Sequence, residues 1–217
     1  MPRVLSVNIA THHFDGPNGP SGFDKRPVTE TIAVSAPGDR RTGRGGGLAG
    51  DIIGNRKFHG GDDQAVYAYA REDLDYWEGR LDRTLTPGMF GENFTTEGID
   101  VTGALIGERW RVGSDGLVLE VSRPRTPCKT FVKFLGIRGW MGTFTAAGRP
   151  GAYLRVITPG SVRPGDPVTV IDRPDHDVTI NKVFRAMMTE PELLQEILVA
   201  DALAAEVAAK ARKRMAS

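Results

Sequence analysis

The distribution of glycine constrains this chain most. It has 27 glycines and 14 prolines, and no glycine occurs from residue 176 onward. Both residues punctuate regular structure, so the first 175 residues predict many short strands joined by tight turns. Long helices do not fit that texture. The remainder is rich in Ala, Leu, Val and Glu and predicts helices.

A chain of 217 residues is one domain, or one with a small appendage. The expected division is a β domain at 1–172 and a helical segment at 173–217. Lys and Arg number 28 against 27 Asp and Glu, so no basic field points to nucleic acid. No apolar run reaches the ~18 residues of a membrane span. The N-terminal stretch has neither a long apolar core nor a small-residue cleavage site, so no signal peptide is expected. With Cys128 the single cysteine, no internal disulfide and no multi-cysteine zinc or iron–sulfur site can form. A cytoplasmic protein is expected.

Apolar residues predict strands at 2–9, 152–158 and 167–172 and a buried strand at 64–70, and alternation of apolar and polar residues predicts half-buried strands at 104–113 and 116–122, joined by a hairpin turn at Gly113-Ser114-Asp115-Gly116. Leu74, Trp77 and Leu81 predict a helix over 71–83. In the tail, Thr179 is positioned to cap a first helix. Thr189 with Glu192 fits a capping box for a second, and Asp201 starts a third. The cations Lys210, Arg212, Lys213 and Arg214 read as a solvated helix end. Gly45-Gly46-Gly47 reads as a surface loop, since it lacks the phosphate-loop pattern.

Three clusters carry chemistry. In Arg123-Pro124-Arg125-Thr126-Pro127-Cys128-Lys129, neighbouring cations favour thiolate over thiol, and prolines stiffen the backbone around the sulfur. A thiolate is a nucleophile or a soft metal ligand; a lone cysteine is also a common small core residue. Arg123 and Arg125 would share one strand face unless Pro124 breaks the alternation. An arginine turned inward there should meet an anion. The second cluster is Lys57, His59, Gly60 and Gly61, where glycines open the backbone to a ligand. The third is Glu92-Asn93, suited either to reading the polar edge of a heterocycle or to capping a turn. A metal on the one cysteine would need an organic cofactor to complete its ligands.

In this order, His59-Gly60-Gly61 with Ala65-Val66-Tyr67, Pro87-Gly88 with Phe90-Gly91-Glu92-Asn93, Ile106-Gly107, Arg123-Pro124-Arg125-Thr126-Pro127-Cys128 and Gly148–Val156 resemble the MOSC domain. That is the C-terminal domain of molybdenum cofactor sulfurases. The combination looks most like the stand-alone bacterial branch associated with hydroxylaminopurine resistance. The chain departs from the family pattern at Gln64, often Lys, and at Phe94, often Leu.

The resemblance implies a mainly β, MOSC-type barrel with a few short helices and a C-terminal three-helix segment. It implies binding of the molybdenum cofactor, with Cys128 as the catalytic residue and protein metal ligand. Lys57, His59, Gly60, Gly61, Asn93, Arg123, Arg125 and Lys129 would be the cofactor-binding set; pyridoxal phosphate is not expected. The implied reaction is reduction of N-hydroxylated bases or related N-hydroxylamines to amines. A separate reductase would supply the electrons, because the chain has no flavin, haem or iron–sulfur motif. The alternative is a sulfur-carrier or cofactor-handling module with a Cys128 persulfide; a third reading is pterin-phosphate binding without turnover. No nucleic-acid or membrane partner is expected, and a homodimer is left open.

Overall fold

A computed structural model describes residues 1–57 and 59–216. The strands are β1 (Arg3–Ile9), β2 (Phe14–Gly16), β3 (Gly19–Ser21), β4 (Arg26–Val28), β5 (Ile32–Val34) and β6 (Val66–Ala70). After α1 (Arg71–Leu81) come β7 (Phe94–Glu97), β8 (Arg109–Val112) and β9 (Leu117–Pro124). Then follow α2 (Lys129–Leu135), α3 (Trp140–Ala147), β10 (Ala152–Thr158), β11 (Gly160–Val162) and β12 (Val168–Asp172). The tail holds α4 (Ile180–Met188), two 3-10 turns (Pro191–Leu194 and Glu196–Val199) and α5 (Ala205–Met215).

Eight strands form one mixed sheet in the order β12-β8-β9-β10-β6-β7-β1-β4. β6 and β7 run parallel, as their α1 crossover requires; the other named pairs are antiparallel. The sheet curls until β1 meets the chain entering β12. There Val4 N donates to Asp166 O (2.8 Å), Gly165 N to Val4 O (2.7 Å) and Val168 N to Pro2 O (3.0 Å). Among the described residues these bonds, not a continuous strand ladder, join its two ends. The architecture is a mainly β, barrel-like sheet with short helices, as expected.

β6 shows why the site lies where it does. All five of its residues are buried. Successive side chains on a strand face opposite ways. Val66, Ala68 and Ala70 join the aliphatic core inside the sheet, and Tyr67 and Tyr69 join a second, aromatic core. That second core contains Trp77 of α1, Phe131 of α2, and Trp140 and Phe144 of α3.

The strand expected over 104–113 is shorter, because Gly107 takes φ +88° and turns the chain before β8 begins. A Cβ there would also sit 3.0 Å from the Ala202 side chain. Helices α2 and α3 carry no long apolar period and are not apparent from sequence.

The tail differs from expectation in two of its three elements. Thr179 caps α4, accepting from Lys182 N at 3.0 Å. Thr189 ends α4 instead of starting the next helix, since its N–H still bonds Arg185 O (2.8 Å). The chain then forms two 3-10 turns, the first with Pro191 at its start. α5 begins at Ala205 instead of Asp201, after Ala204 N docks on Ser122 O at 3.1 Å. Val178, Ile180, Val183, Leu203 and Val207 belong to the same apolar core as the strands. Among the described residues no helix is long and apolar enough to cross a membrane.

Phe184 of α4 is fully buried and meets Phe144 edge to face, with ring centroids 6.2 Å apart. Phe184→Ala is expected to cost about 3–5 kcal/mol in urea unfolding. Val199→Ala, at a position 61% exposed, should stay within about 0.5 kcal/mol of the parent. Equal effects would contradict docking of the tail on the aromatic core.

Candidate functional site

β9 carries the chain out of the sheet, and the Pro-rich segment 124–127 leads directly to Cys128, whose carbonyl accepts Val132 N in α2 (3.2 Å). This strand-to-helix junction fixes a half-buried thiol. Two cavities, of about 80 and 290 Å³, share Cys128, His59, Arg125, Tyr153, Gln64 and Ser21 in their walls. The sulfur therefore lies where an inner and an outer lobe adjoin.

Arg125 is 5% exposed. Its guanidinium lies over Phe131, Phe23 and Tyr67, at 4.3, 4.9 and 5.4 Å from their ring centres. Nη1 donates to Phe90 O (3.1 Å), and Nη2 lies 3.9 Å from Cys128 Sγ. Aromatic faces and one carbonyl thus hold a cation against the thiol. Arg123 also reaches the outer lobe, so Pro124 does not separate the two arginines.

The inner lobe is built on Asp51. Its carboxylate accepts Lys25 Nζ at 2.5 and 2.6 Å, Ala10 N at 2.8 Å and Asn93 Nδ2 at 2.9 Å. Lys25 and Asp51 are only 8% and 3% exposed. Asn93 also accepts from Tyr67 N and donates to Asn8 O. It is a clamp between β1 and β6 that faces the inner lobe. Glu92, fully buried, accepts Gly88 N, Phe90 N and Thr95 Oγ1, so its role is turn capping. Burial raises its pKa against those bonds.

Gly45-Gly46-Gly47 is not a free surface loop. Gly47 N donates to Ala65 O (2.8 Å), Gly61 N donates to Gly45 O (3.0 Å), and Gly46 lines the inner lobe. Gly60, at φ +88°, fits against this segment only because it lacks a Cβ, which would lie 2.7 Å from Gly45 O.

Of the expected binding set, His59, Gly60, Asn93, Arg123 and Arg125 line one or both lobes, around Cys128. Lys57 and Lys129 are exposed and line neither lobe. Each is close in sequence to a lining residue, but the turn at 56–57 and the first turn of α2 carry them outward. Gly61 is buried and also lines neither lobe; it packs on Arg40. Tyr153, within the Gly148–Val156 stretch that carries the resemblance, lines both lobes, and Lys25, Asp51 and Glu206 line one or the other without having been singled out from sequence. Nothing local distinguishes them, because each reaches the site through long-range packing. Gln64 lines both lobes, so its difference from the family's frequent Lys falls at the site itself.

The MOSC domain profile matches residues 55–169, more than half of the chain. Among curated proteins, the uncharacterised protein YflK of Bacillus subtilis is 32% identical over 82% of this chain and 76% of its own length. Protein YiiM of Escherichia coli is 31% identical over 63% of this chain and 61% of its length. A protein of Gibberella moniliformis named "Reductase" is 31% identical over 64% of this chain, but only 26% of that longer protein is matched. The crystal structure of YiiM from Geobacillus stearothermophilus superposes with a TM-score of 0.79 at 26% identity, covering 99% of both chains. The chain belongs to the MOSC domain family, whose domain is associated with the molybdenum cofactor.

His59 has its pKa lowered to about 4, first by burial and then by the charges of Arg125 and Arg123. Its folded pKa lies below the ordinary 6.5, so the unfolded chain binds more protons between those values. The contribution is complete above pH 6.5 and is lost as pH falls through about 4. His59→Gln is therefore expected to remove on the order of 3 kcal/mol of the acid-side loss of stability. The check compares urea midpoints of parent and variant at pH 7.5 and 4. Parallel losses in both would contradict a neutral, buried imidazole.

Proposed function

We propose that this chain is a molybdenum-cofactor-dependent oxidoreductase that reduces N-hydroxylated bases or related N-hydroxylamines to amines. The observation that carries the reading is the Cys128 thiol, fixed where two cavities adjoin and backed by a buried arginine. A thiolate is a soft ligand suited to such a metal. Among the described residues no group of three His, Cys, Asp or Glu side chains could hold a metal ion. A metal on Cys128 would therefore take its other ligands from an organic group.

The residues present fit that group. Cys128 would be its protein ligand. Arg123, whose buried Nε has no hydrogen-bond partner, supplies an open donor for a phosphate. When bound, the cofactor supplies two-electron chemistry, for the overall change R–NHOH + 2 H⁺ + 2 e⁻ → R–NH₂ + H₂O. Electrons come from a separate reductase. Neutral His59 and Tyr153, whose hydroxyl burial keeps protonated, offer uncharged hydrogen-bonding groups beside the thiol. The stiff backbone around Cys128 supports a fixed ligand over a mobile sulfur carrier.

The test is purification from a host that makes the cofactor, with metal analysis and turnover of an N-hydroxylated purine using a chemical electron donor. The parent is expected to hold molybdenum near one per chain. Loss of groups that merely orient metal ligands costs about 10–100-fold. Cys128→Ser, which removes the ligand itself, should lower turnover by more than about 100-fold with an unchanged melting temperature. A metal-free parent, or full turnover in the variant, would overturn the reading.

A further inference from the structure

Two segments of the outer lobe's wall carry exposed residues: α5 at Lys210, and the β2–β3 hairpin at Asn18, Gly19 and Pro20. They are held very differently. α5 is fixed by Val207 and Ala211 in the aliphatic core and by the Ala204 N bond to Ser122 O. The hairpin forms a two-stranded sheet of its own, pairing Phe14 with Ser21 and Gly16 with Gly19, apart from the main sheet. No residue from Thr11 to Gly22 is buried. An isolated two-stranded hairpin is marginal in water, and segments with few buried contacts open most readily. Both ends of this stretch are anchored at one place. Ile52 N donates to Ala10 O at 2.9 Å, and a Cβ on Gly22 would fall 1.8 Å from Ile52 O. Pro20 O rests on Gly54 just as closely, since a Cβ there would lie 2.0 Å away. Beyond that stem, α2 holds the hairpin. Phe14 meets Phe134 edge to face, with ring centroids 5.3 Å apart, and Lys133 Nζ donates to Asp15 O at 2.7 Å. The two rings are only half-buried and Lys133 is exposed.

We propose that the β2–β3 hairpin is a size-selective gate on the way to Cys128, latched on α2 through Phe14 and opening by a pivot on its stem at residues 20–22. Opening carries Asn18 and Gly19 away from the lobe and leaves the sheet, α2 and α5 in place. Closed, the lobe holds about 290 Å³. Cavities that take small organic ligands usually span roughly 300–1,000 Å³. A bulky group therefore enters only if a wall moves, and the hairpin is the wall held by the least packing. Its use for admitting an organic cofactor rests on the proposed function; the gate itself rests on packing alone.

Cys128 is the single cysteine, so alkylation reads one sulfur. The full chain, from a strain unable to make the cofactor, is treated separately with iodoacetamide and with a pyrene maleimide. Both reagents react with the thiolate, so the ratio of their rates cancels thiol acidity and reports access. Phe14→Ala removes the aromatic latch and should raise the maleimide-to-iodoacetamide ratio about tenfold. Lys133→Met loses one exposed hydrogen bond and should raise it about two- to threefold. In the parent, amides of residues 14–21 should exchange with deuterium before those of β6. A parent-like ratio in a Phe14→Ala protein that keeps its melting temperature would overturn the gate. If that variant is destabilised throughout, amide exchange in the parent decides, and exchange of 14–21 only together with β6 overturns it. Because neither readout needs a metal, a molybdenum-free parent would defeat the proposed function and leave this result standing. An unchanged ratio would defeat the gate and leave the molybdenum content of loaded protein untouched.

Discussion

The site depends on a buried charge that, among the described residues, has no carboxylate partner within hydrogen-bond reach. Arg125 lies against three aromatic rings, bonds one carbonyl and stands beside Cys128. Burying a guanidinium is unfavourable unless its environment replaces water. Each desolvated ring contact offsets that by roughly 0.5–2 kcal/mol, and the hydrogen bond from the charged group by about 1.5–3. The partners come from distant parts of the chain: Phe23 from the N-terminal region, Tyr67 from β6, the turn at Phe90, and Phe131 from α2. Satisfying one side chain therefore brings four segments to one point, and the thiol lies three residues away.

The same constraint explains the division of β6 between two cores. Its even-numbered side chains fill the curled sheet, and its two tyrosines turn outward to the aromatic layer that surrounds Arg125. This much was legible in sequence, because the short apolar run at 64–70 marks a buried strand. The glycine boundary near residue 176 and the Thr179 cap were legible for the same reason: each acts through its immediate neighbours. What lay beyond reach depended on contacts distant in sequence. The Gly45–Gly47 segment resembles a loop locally, yet it is ordered by Ala65 and by Gly60–Gly61. The second tail helix failed because a capping pattern does not reveal that the preceding helix still needs Thr189.

At the site, the order of motifs located Cys128, Arg123, Arg125, His59, Gly60 and Asn93 around common cavities. Lys57 and Lys129 are close in sequence to lining residues but are exposed and line neither lobe. Asp51, Lys25 and Glu206 line the lobes without a signal in sequence. An acidic or basic residue in a polar stretch carries no local sign of its surroundings, and only the fold shows that Lys25 and Asp51 form a buried pair in the wall of the lobe that Cys128 also lines. The tail cations Lys210, Arg212, Lys213 and Arg214 are exposed near the end of α5, as a solvated helix end requires, and Lys210 also borders the outer lobe.

Cys128 is thus a half-buried thiol between a small, hydrogen-bonded inner lobe and a larger, cationic outer one, in a MOSC family chain. The account stands or falls on whether that sulfur is a metal ligand. The most direct measurement is X-ray absorption at the molybdenum edge, on cofactor-loaded parent and Cys128→Ser proteins. The account predicts one sulfur neighbour fewer in the variant. An identical sulfur count in both would contradict it.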